Sequence, residues 1–166
     1  MLETVNTLSD EELAELTVRS FTLPLNNMTL LVPSTVIAEV LDYREVEPTG
    51  HMPDWLLGML SWRGRNVPVV CFEKMLGQGQ PERKSGTRYV VCNTLNGSTR
   101  IPFIAMQIEG MPHLRMVTNE MLTVDSDSVG NDTVVEAHLL LQGGKVILPN
   151  MDVMEKMLEN LGISAD

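Results

Sequence analysis

The sequence predicts a mainly β fold, and three observations carry this prediction. Short runs of β-branched and apolar residues recur along the chain, and turn residues separate them at hairpin spacing. The pattern changes to a helical period in the last segment, from Met151 to Leu161. The 166 residues suffice for one domain or for two small, interdependent ones. We therefore expect small β-barrels with short helices and a C-terminal helix.

The stretch from Pro53 to Phe72 carries an informative hairpin pattern. Two apolar segments flank the polar step R-G-R-N. Gly64 can take a positive φ at little steric cost, so the turn is expected to close there. The sequence therefore predicts a rigid hairpin that holds Arg63 and Arg65 at its tip.

Residues 1–16 form a polar, acidic leader that ends in a helix-prone stretch. Ser9 and Glu12 have the spacing of a capping box, which predicts a short helix there. Leu13 and Leu16 are its main apolar anchors, so we expect this helix to dock weakly.

A first hairpin is predicted directly after this leader. Val18 to Leu25 and Met28 to Val32 are strand-like and are separated by an asparagine pair that favours a turn. Ser34 is then expected to cap a helical turn over Thr35 to Ala38. Glu39 to Tyr43 predicts the next strand.

A second hairpin is predicted after the central one. A helical turn following Phe72 ends at Gly77, and residues 78–87 form a polar, basic loop. Arg88 to Leu95 and Arg100 to Met106 then flank Asn96-Gly97, a strong hairpin signal.

A third hairpin is predicted in the C-terminal half. Val117 to Val124 is mixed in pattern, and Asp125 to Asp132 is an acidic loop. Val134 to Leu141 and Lys145 to Leu148 then flank the pair Gly143-Gly144, which predicts the hairpin turn.

The chain is expected to end in an amphipathic helix. Asp152 and Glu155 have capping-box spacing, and Gly162 is placed as the C-terminal cap. One helical stripe gathers four apolar residues, which we interpret as core: Met151, Met154, Leu158 and Leu161. These boundaries give a leader (1–16), a β domain (17–162) and a tail (163–166).

The charge distribution argues against nucleic acid as a partner. The net charge is −10, and phosphate binding needs basic residues. Before Arg63 there are two basic against ten acidic residues, from Arg63 to Arg100 seven against two, and after Arg100 three against ten. This basic middle either steers a protein partner or disperses on folding.

No catalytic or metal-binding pattern is evident, so no cofactor is expected. The three histidines lie in different segments, and neither they nor the cysteines have metal-ligand spacing. Cys71 and Cys92 lie in apolar runs, which favours buried thiols in a reducing cytoplasm over a disulfide. Of Trp55 and Trp62, one is expected in the core and one at the surface.

With these residues in view, the chain resembles the CheW family of chemotaxis coupling proteins. The resemblance runs from Val18 to Leu161 and rests on V-I-A-E-V at Val36 to Val40 and on P-D-W-L-L-G-M-L-S-W-R-G-R-N-V-P-V-V at Pro53 to Val70. The piece L-S-W-R-G-R, the acidic leader and the length are similar to ChpC-type members, which serve pilus-associated chemosensory systems.

The resemblance implies two interlocked five-stranded SH3-like barrels and a non-catalytic adaptor. Its implied partners are a CheA-like histidine kinase regulatory domain and the cytoplasmic tip of a chemoreceptor, in arrays that control type IV pilus (twitching) motility. It assigns receptor contact to Ile37 and Glu39, a kinase-facing position to Gly58, and the family arginine to Arg63. Gly64 and Arg65 complete the expected partner-binding turn, and we predict that Glu39 and Arg63 pair.

The chain departs from the family pattern at three places. It has Cys71, Phe72 and Glu73 after the Val-Pro strand, Met106-Gln107 where a Val-Asp pair is common, and Pro149-Asn150 for the usual Leu-Asp. Lost aspartates are expected to remove caps or partner contacts. The alternatives are therefore an accessory scaffold without kinase coupling, a hairpin with a purely structural turn and, from another class, a small-ligand-binding barrel or enzyme.

Overall fold

The computed structural model describes residues 17–79, 85–94, 100–128 and 132–163. This part of the chain contains eleven strands and two α-helices. The strands are β1 (Thr17–Pro24), β2 (Thr29–Pro33), β3 (Ile37–Asp42), β4 (Leu56–Trp62), β5 (Arg65–Val70), β6 (Thr87–Asn93), β7 (Phe103–Glu109), β8 (His113–Thr118), β9 (Leu122–Val124), β10 (Val135–Leu141) and β11 (Gly144–Pro149). The helices are α1 (Phe72–Met75) and α2 (Met151–Asn160), and 3-10 turns span Ser34–Val36 and Asn119–Met121.

The strands form two sheets that interlock along the chain. The middle of the chain forms a five-stranded sheet in the order β3-β6-β7-β5-β4. Both ends of the chain share a six-stranded sheet in the order β8-β1-β2-β11-β10-β9. The predicted mainly β fold of two interlocked subdomains is thereby confirmed, and the three-residue β9 gives the larger sheet its sixth strand.

One apolar core joins the two sheets and the C-terminal helix. It includes Leu23 and Leu30 from the six-stranded sheet, Val90 and Ile104 from the five-stranded sheet, and Met154 from α2. All five side chains are fully buried. Burial of this shared apolar surface therefore holds the two subdomains together.

The predicted hairpins are present where the structure describes them. β1 pairs with β2 and β4 with β5, and β6 pairs with β7 through the register Asn93↔Phe103. The β10–β11 turn is Gln142-Gly143, with φ of 50° and 86°, instead of Gly143-Gly144. Gly144 instead pairs with Leu141 as the first residue of β11.

Two predicted helix caps are wrong. Ser34 is the first residue of a 3-10 turn that has no side-chain cap, and β3 begins at Ile37 instead of Glu39. In α2 the N-cap is Asn150, whose Oδ1 accepts a hydrogen bond from Val153 N at 3.1 Å, and Asp152 lies in the first turn.

The first residue of the predicted tail contacts the shared core. Ile163, assigned to the tail, packs in the shared core with 8% of its surface exposed. The leader helix predicted in 1–16, the Asn96-Gly97 turn and part of the loop 78–87 lie outside the described residues.

The family departures fall on interior positions. Cys71, Phe72, Glu73, Met106 and Gln107 are all buried, so these side chains fill the core and do not offer a partner contact. Asn150 supplies the cap that an aspartate would make. The expectation that these changes remove caps or surface contacts is therefore wrong at these positions.

Both cysteines are free and buried, as predicted. Burial raises the pKa of the Cys92 thiol to about 12, and it also raises the pKa of Cys71. The prediction for the tryptophans holds in part: Trp62 is buried, whereas Trp55 is half-buried against the core. Neither described helix is long and apolar enough to cross a bilayer.

Candidate functional site

The β4–β5 hairpin closes with a two-residue turn at Arg63-Gly64. Trp62 pairs with Arg65 across the turn, and φ is 49° at Arg63 and 74° at Gly64. Positive φ at both central residues is the requirement of the primed turns that match the twist of a hairpin. The turn thus fixes the direction in which the Arg63 side chain leaves the backbone.

Arg63 and Glu39 form the predicted ion pair. Arg63 Nη2 donates to Glu39 Oε1 at 2.9 Å, and the side chains are 66% and 35% exposed. Glu39 lies on β3 and Arg63 follows β4, which are the two edges of the same sheet. The pair therefore reaches from one edge strand to the other.

Trp62 completes this group and was not foreseen as part of it. Its indole Nε1 donates to Glu39 Oε2 at 2.9 Å, and the Arg63 guanidinium lies 4.7 Å from the centre of its ring. Because Trp62 itself is buried, it anchors both charged groups. We call Glu39, Trp62 and Arg63 the Glu39 cluster.

The Glu39 cluster holds its carboxylate in the charged form. The hydrogen bond from Trp62, followed by the one from Arg63, lowers the pKa of Glu39 below its ordinary value of 4.5. Both carboxylate oxygens accept a donor, so the group is fixed in orientation as well as in charge. It presents a preoriented anion and cation side by side.

A second arginine lies beside the cluster. The Arg65 guanidinium is 5.8 Å from the Phe103 ring centre, and Phe103 meets Trp62 edge to face at 4.8 Å between centroids. Two guanidinium groups therefore flank a pair of aromatic rings. Phe103 could not be found from local pattern, because its contact with Trp62 depends on how the strands pair.

The remaining predicted residues have other surroundings. Gly64 is exposed in the turn, with open space where a Cβ would lie. Gly58 is buried on β4, and an added Cβ would lie 2.3 Å from the Glu47 carbonyl oxygen, so packing accounts for this glycine. Ile37 is half-buried on β3, next to the shared core, and a bulge separates it from Glu39.

The described residues offer no evident catalytic machinery. Within them, no group of three or more His, Cys, Asp or Glu is arranged to hold a metal ion. The two thiols are buried and their pKa values are raised, which disfavours the reactive thiolate. The Glu39 cluster instead has the charge, aromatic support and partial exposure of a protein contact.

Comparison with known proteins finds a matching family model and similar solved structures. The family model described as "CheW-like domain" matches residues 19–156. The solved structure of the scaffolding protein TtCheW from Thermoanaerobacter tengcongensis is similar with a TM-score of 0.67 at 14% identity, over 81% of this chain and 90% of that chain. At 14% identity, this structural similarity is evidence for the fold alone. No curated protein matches the chain by sequence.

Proposed function

The chain belongs to the CheW-like domain family, and from that membership we propose that it is a scaffold that couples chemoreceptors to a histidine kinase. In this proposal it performs no catalysis and links the receptor's cytoplasmic tip to a CheA-like regulatory domain. It works in the cytoplasm and is recruited to membrane-associated receptor arrays. The scaffolding role named for TtCheW, a protein with the same fold, supports the proposal.

The Glu39 cluster is the observation that carries this proposal. Binding energy at protein interfaces concentrates in residues such as Trp and Arg that hold their geometry before binding. Here Trp62 is buried and orients both charges, while Arg63 stays 66% exposed. The Arg63 side chain has therefore lost much of its conformational freedom before a partner binds.

The finer proposal is that the array controls type IV pilus motility. The L-S-W-R-G-R segment, which is similar to ChpC-type members, contains Trp62 and Arg63 of the cluster. The segment that resembles the ChpC-type members therefore also contains the centre of the proposed contact.

Co-purification tests the proposed coupling. The tagged full-length protein is tested for retention of the kinase regulatory domain and of the receptor tip from the same genome. We expect the wild type to retain both, and Arg63→Glu to weaken at least one of them by about tenfold, because it places a carboxylate beside Glu39. Loss of this exposed ion pair costs at most about 1 kcal/mol, so the variant should stay folded, with a thermal midpoint within a few degrees of the wild type.

Lys156→Glu is the matched control, since it makes the same charge change at an exposed site on α2. It should leave retention unchanged. Retention of the receptor tip alone would indicate an accessory scaffold without kinase coupling. Retention of neither partner would refute the proposed function, and collapse of folding in Arg63→Glu would make Arg63 structural.

A further inference from the structure

Arg65 carries a positive charge that no ion pair within the described residues compensates. The two ion pairs of this part of the chain use Arg63 and Arg88 as their cations. Arg65 is exposed at the start of β5, and its guanidinium carbon lies over the Phe103 ring, 5.8 Å from the ring centre. The side chain therefore rests beside a ring while its charge stays available to a partner.

The carboxylate of the Glu39 cluster is already engaged by other donors. Both oxygens of Glu39 accept hydrogen bonds from within the cluster. The sequence adds no carboxylate beside Arg65, since residues 61–70 of the hairpin and residues 101–106, which include its neighbours on β7, contain neither Asp nor Glu. Two arginines against one carboxylate therefore leave the hairpin tip positive, in a chain whose net charge is −10.

Phe103 supports the Arg65 guanidinium from a fixed position. The ring packs edge to face on the buried Trp62, with 4.8 Å between the centroids. Phe103 and the half-buried Pro102 also line a crevice together with Arg65. A guanidinium on an aromatic ring keeps its N–H groups for a planar acceptor such as a carboxylate. The site therefore combines a free cation with an apolar support.

We propose that the protein partner that contacts the Glu39 cluster places an Asp or Glu side chain on Arg65. This inference rests on the proposed function and names the chemistry of one contact in it. The fork of N–H groups on a guanidinium matches the two oxygens of a carboxylate. Arg63, which is already paired with Glu39, holds the turn and the cluster in place, whereas Arg65 selects the partner by charge.

A protein fits this site better than nucleic acid or a second copy of the chain does. A net charge of −10 repels a polyanion, and one positive hairpin tip does not offset it. Two copies of this chain also repel each other through the same net charge. The basic middle of the sequence thus reaches the surface at Arg65, where it serves a local contact.

Binding measured at two salt concentrations tests the role of Arg65. The full-length protein is titrated with the kinase regulatory domain and with the receptor tip from the same genome. We expect Arg65→Gln to raise the Kd for one of them about tenfold at about 50 mM salt, and less at about 300 mM, because salt screens exposed charges. Arg65→Lys keeps the charge without the planar fork, so its loss should be smaller.

Arg19→Gln is the matched control, because it removes an exposed arginine from β1 of the other sheet. It should leave both Kd values unchanged. An equal loss in Arg19→Gln would show an effect of net charge alone and would overturn the proposal. Binding of Arg65→Gln that equals the wild type would overturn it as well.

Substitutions in the partner identify the carboxylate. Each Asp or Glu of the partner is changed in turn to Asn or Gln. One of these changes should weaken binding of the wild type and leave binding of Arg65→Gln unaltered, because both variants remove the same ion pair. If no carboxylate is coupled to Arg65 in this way, the assignment is overturned.

The same titrations separate this inference from the proposed function. A wild type that binds neither partner would overturn the proposed function and the inference with it. A wild type that binds while Arg65→Gln binds equally well would overturn the inference alone. A wild-type dimer in sedimentation that Arg65→Gln dissociates would assign Arg65 to a second copy instead.

Discussion

Glu73 is a buried carboxyl group that needs an explanation at the level of the single residue. It is 3% exposed, and Oε2 has no hydrogen-bond partner within the described residues. Burial is the main cause that raises its pKa above the ordinary 4.5, and the Glu109 carboxylate adds to it, while the backbone amides of Glu73 and Asn26 oppose it. The charged form is therefore disfavoured in the folded protein.

We predict that Glu73→Gln stabilises the protein at neutral pH by about 1 kcal/mol, the order of a desolvation penalty for a buried polar group. Because the folded-state pKa is raised, wild-type stability falls as pH rises from about 4.5 through the folded-state pKa. The advantage of the glutamine should therefore grow with pH from 4.5 upward. Urea unfolding between pH 5 and 8 measures it.

Glu45→Gln, at an exposed position, is the matched control and should change the free energy of unfolding at neutral pH by less than about 0.5 kcal/mol. A loss of stability in Glu73→Gln at neutral pH would show that the carboxylate is charged and favourably paired in the fold.

Among the secondary-structure elements, helix α2 depends on an N-cap residue, Asn150, that lies two residues before the predicted cap Asp152. We predict that Asn150→Ala lowers the free energy of unfolding by about 1 kcal/mol, since it removes the acceptor for Val153 N. Asn150→Asp should keep the cap. Chemical denaturation of the three proteins measures both effects.

Asp152→Ala separates the two cap assignments. Asp152 lies in the first turn of α2, where a carboxylate contributes only a few tenths of a kcal/mol through the helix dipole. If Asp152→Ala cost as much as Asn150→Ala, the assignment of the cap to Asn150 would be wrong.

Elements with strong local signals were the ones that the sequence predicted. The β4–β5 hairpin follows from apolar flanks around Arg63-Gly64, because a two-residue turn depends on backbone conformation nearby. β8 was missed. Its residues alternate between polar and apolar from His113 to Met116, but the apolar Leu114 and Met116 face solvent instead of the core. It forms by pairing with β1, far away in sequence.

The distinction between local sequence signals and contacts that depend on the folded sheet also applies to the candidate site. The turn came from local pattern, and the pairing of Glu39 with Arg63 came from the family resemblance. The roles of Trp62 and Phe103 could not be predicted, because they depend on contacts between strands that only the folded sheet brings together. Gly58 shows the converse: a position expected at the partner surface is buried against the Glu47 carbonyl.

At the scale of the whole molecule, the two sheets share one core and should unfold together. Met154 on α2 is fully buried in the cluster that contains Leu30 of one sheet and Ile104 of the other. The six-stranded sheet consists of the first two strands and the last four, and the strands of the five-stranded sheet lie between them in the sequence. It therefore cannot form without bringing the two ends of that middle segment together. Each sheet also has a core cluster of its own, and within the described residues both clusters are smaller than the shared core.

We therefore predict that Met154→Ala lowers the free energy of unfolding by about 2–5 kcal/mol and leaves a single transition. In a Trp55→Phe background, tryptophan fluorescence reports the five-stranded sheet through Trp62, and amide exchange at Leu139 and Val146 reports the six-stranded one. Both probes should shift equally. Met116→Ala, which removes the same atoms from an exposed site, should cost under about 0.5 kcal/mol. Cooperative unfolding requires that loss of the shared core destabilise both sheets. Separate transitions for the two sheets would instead show that each sheet is stable without the other.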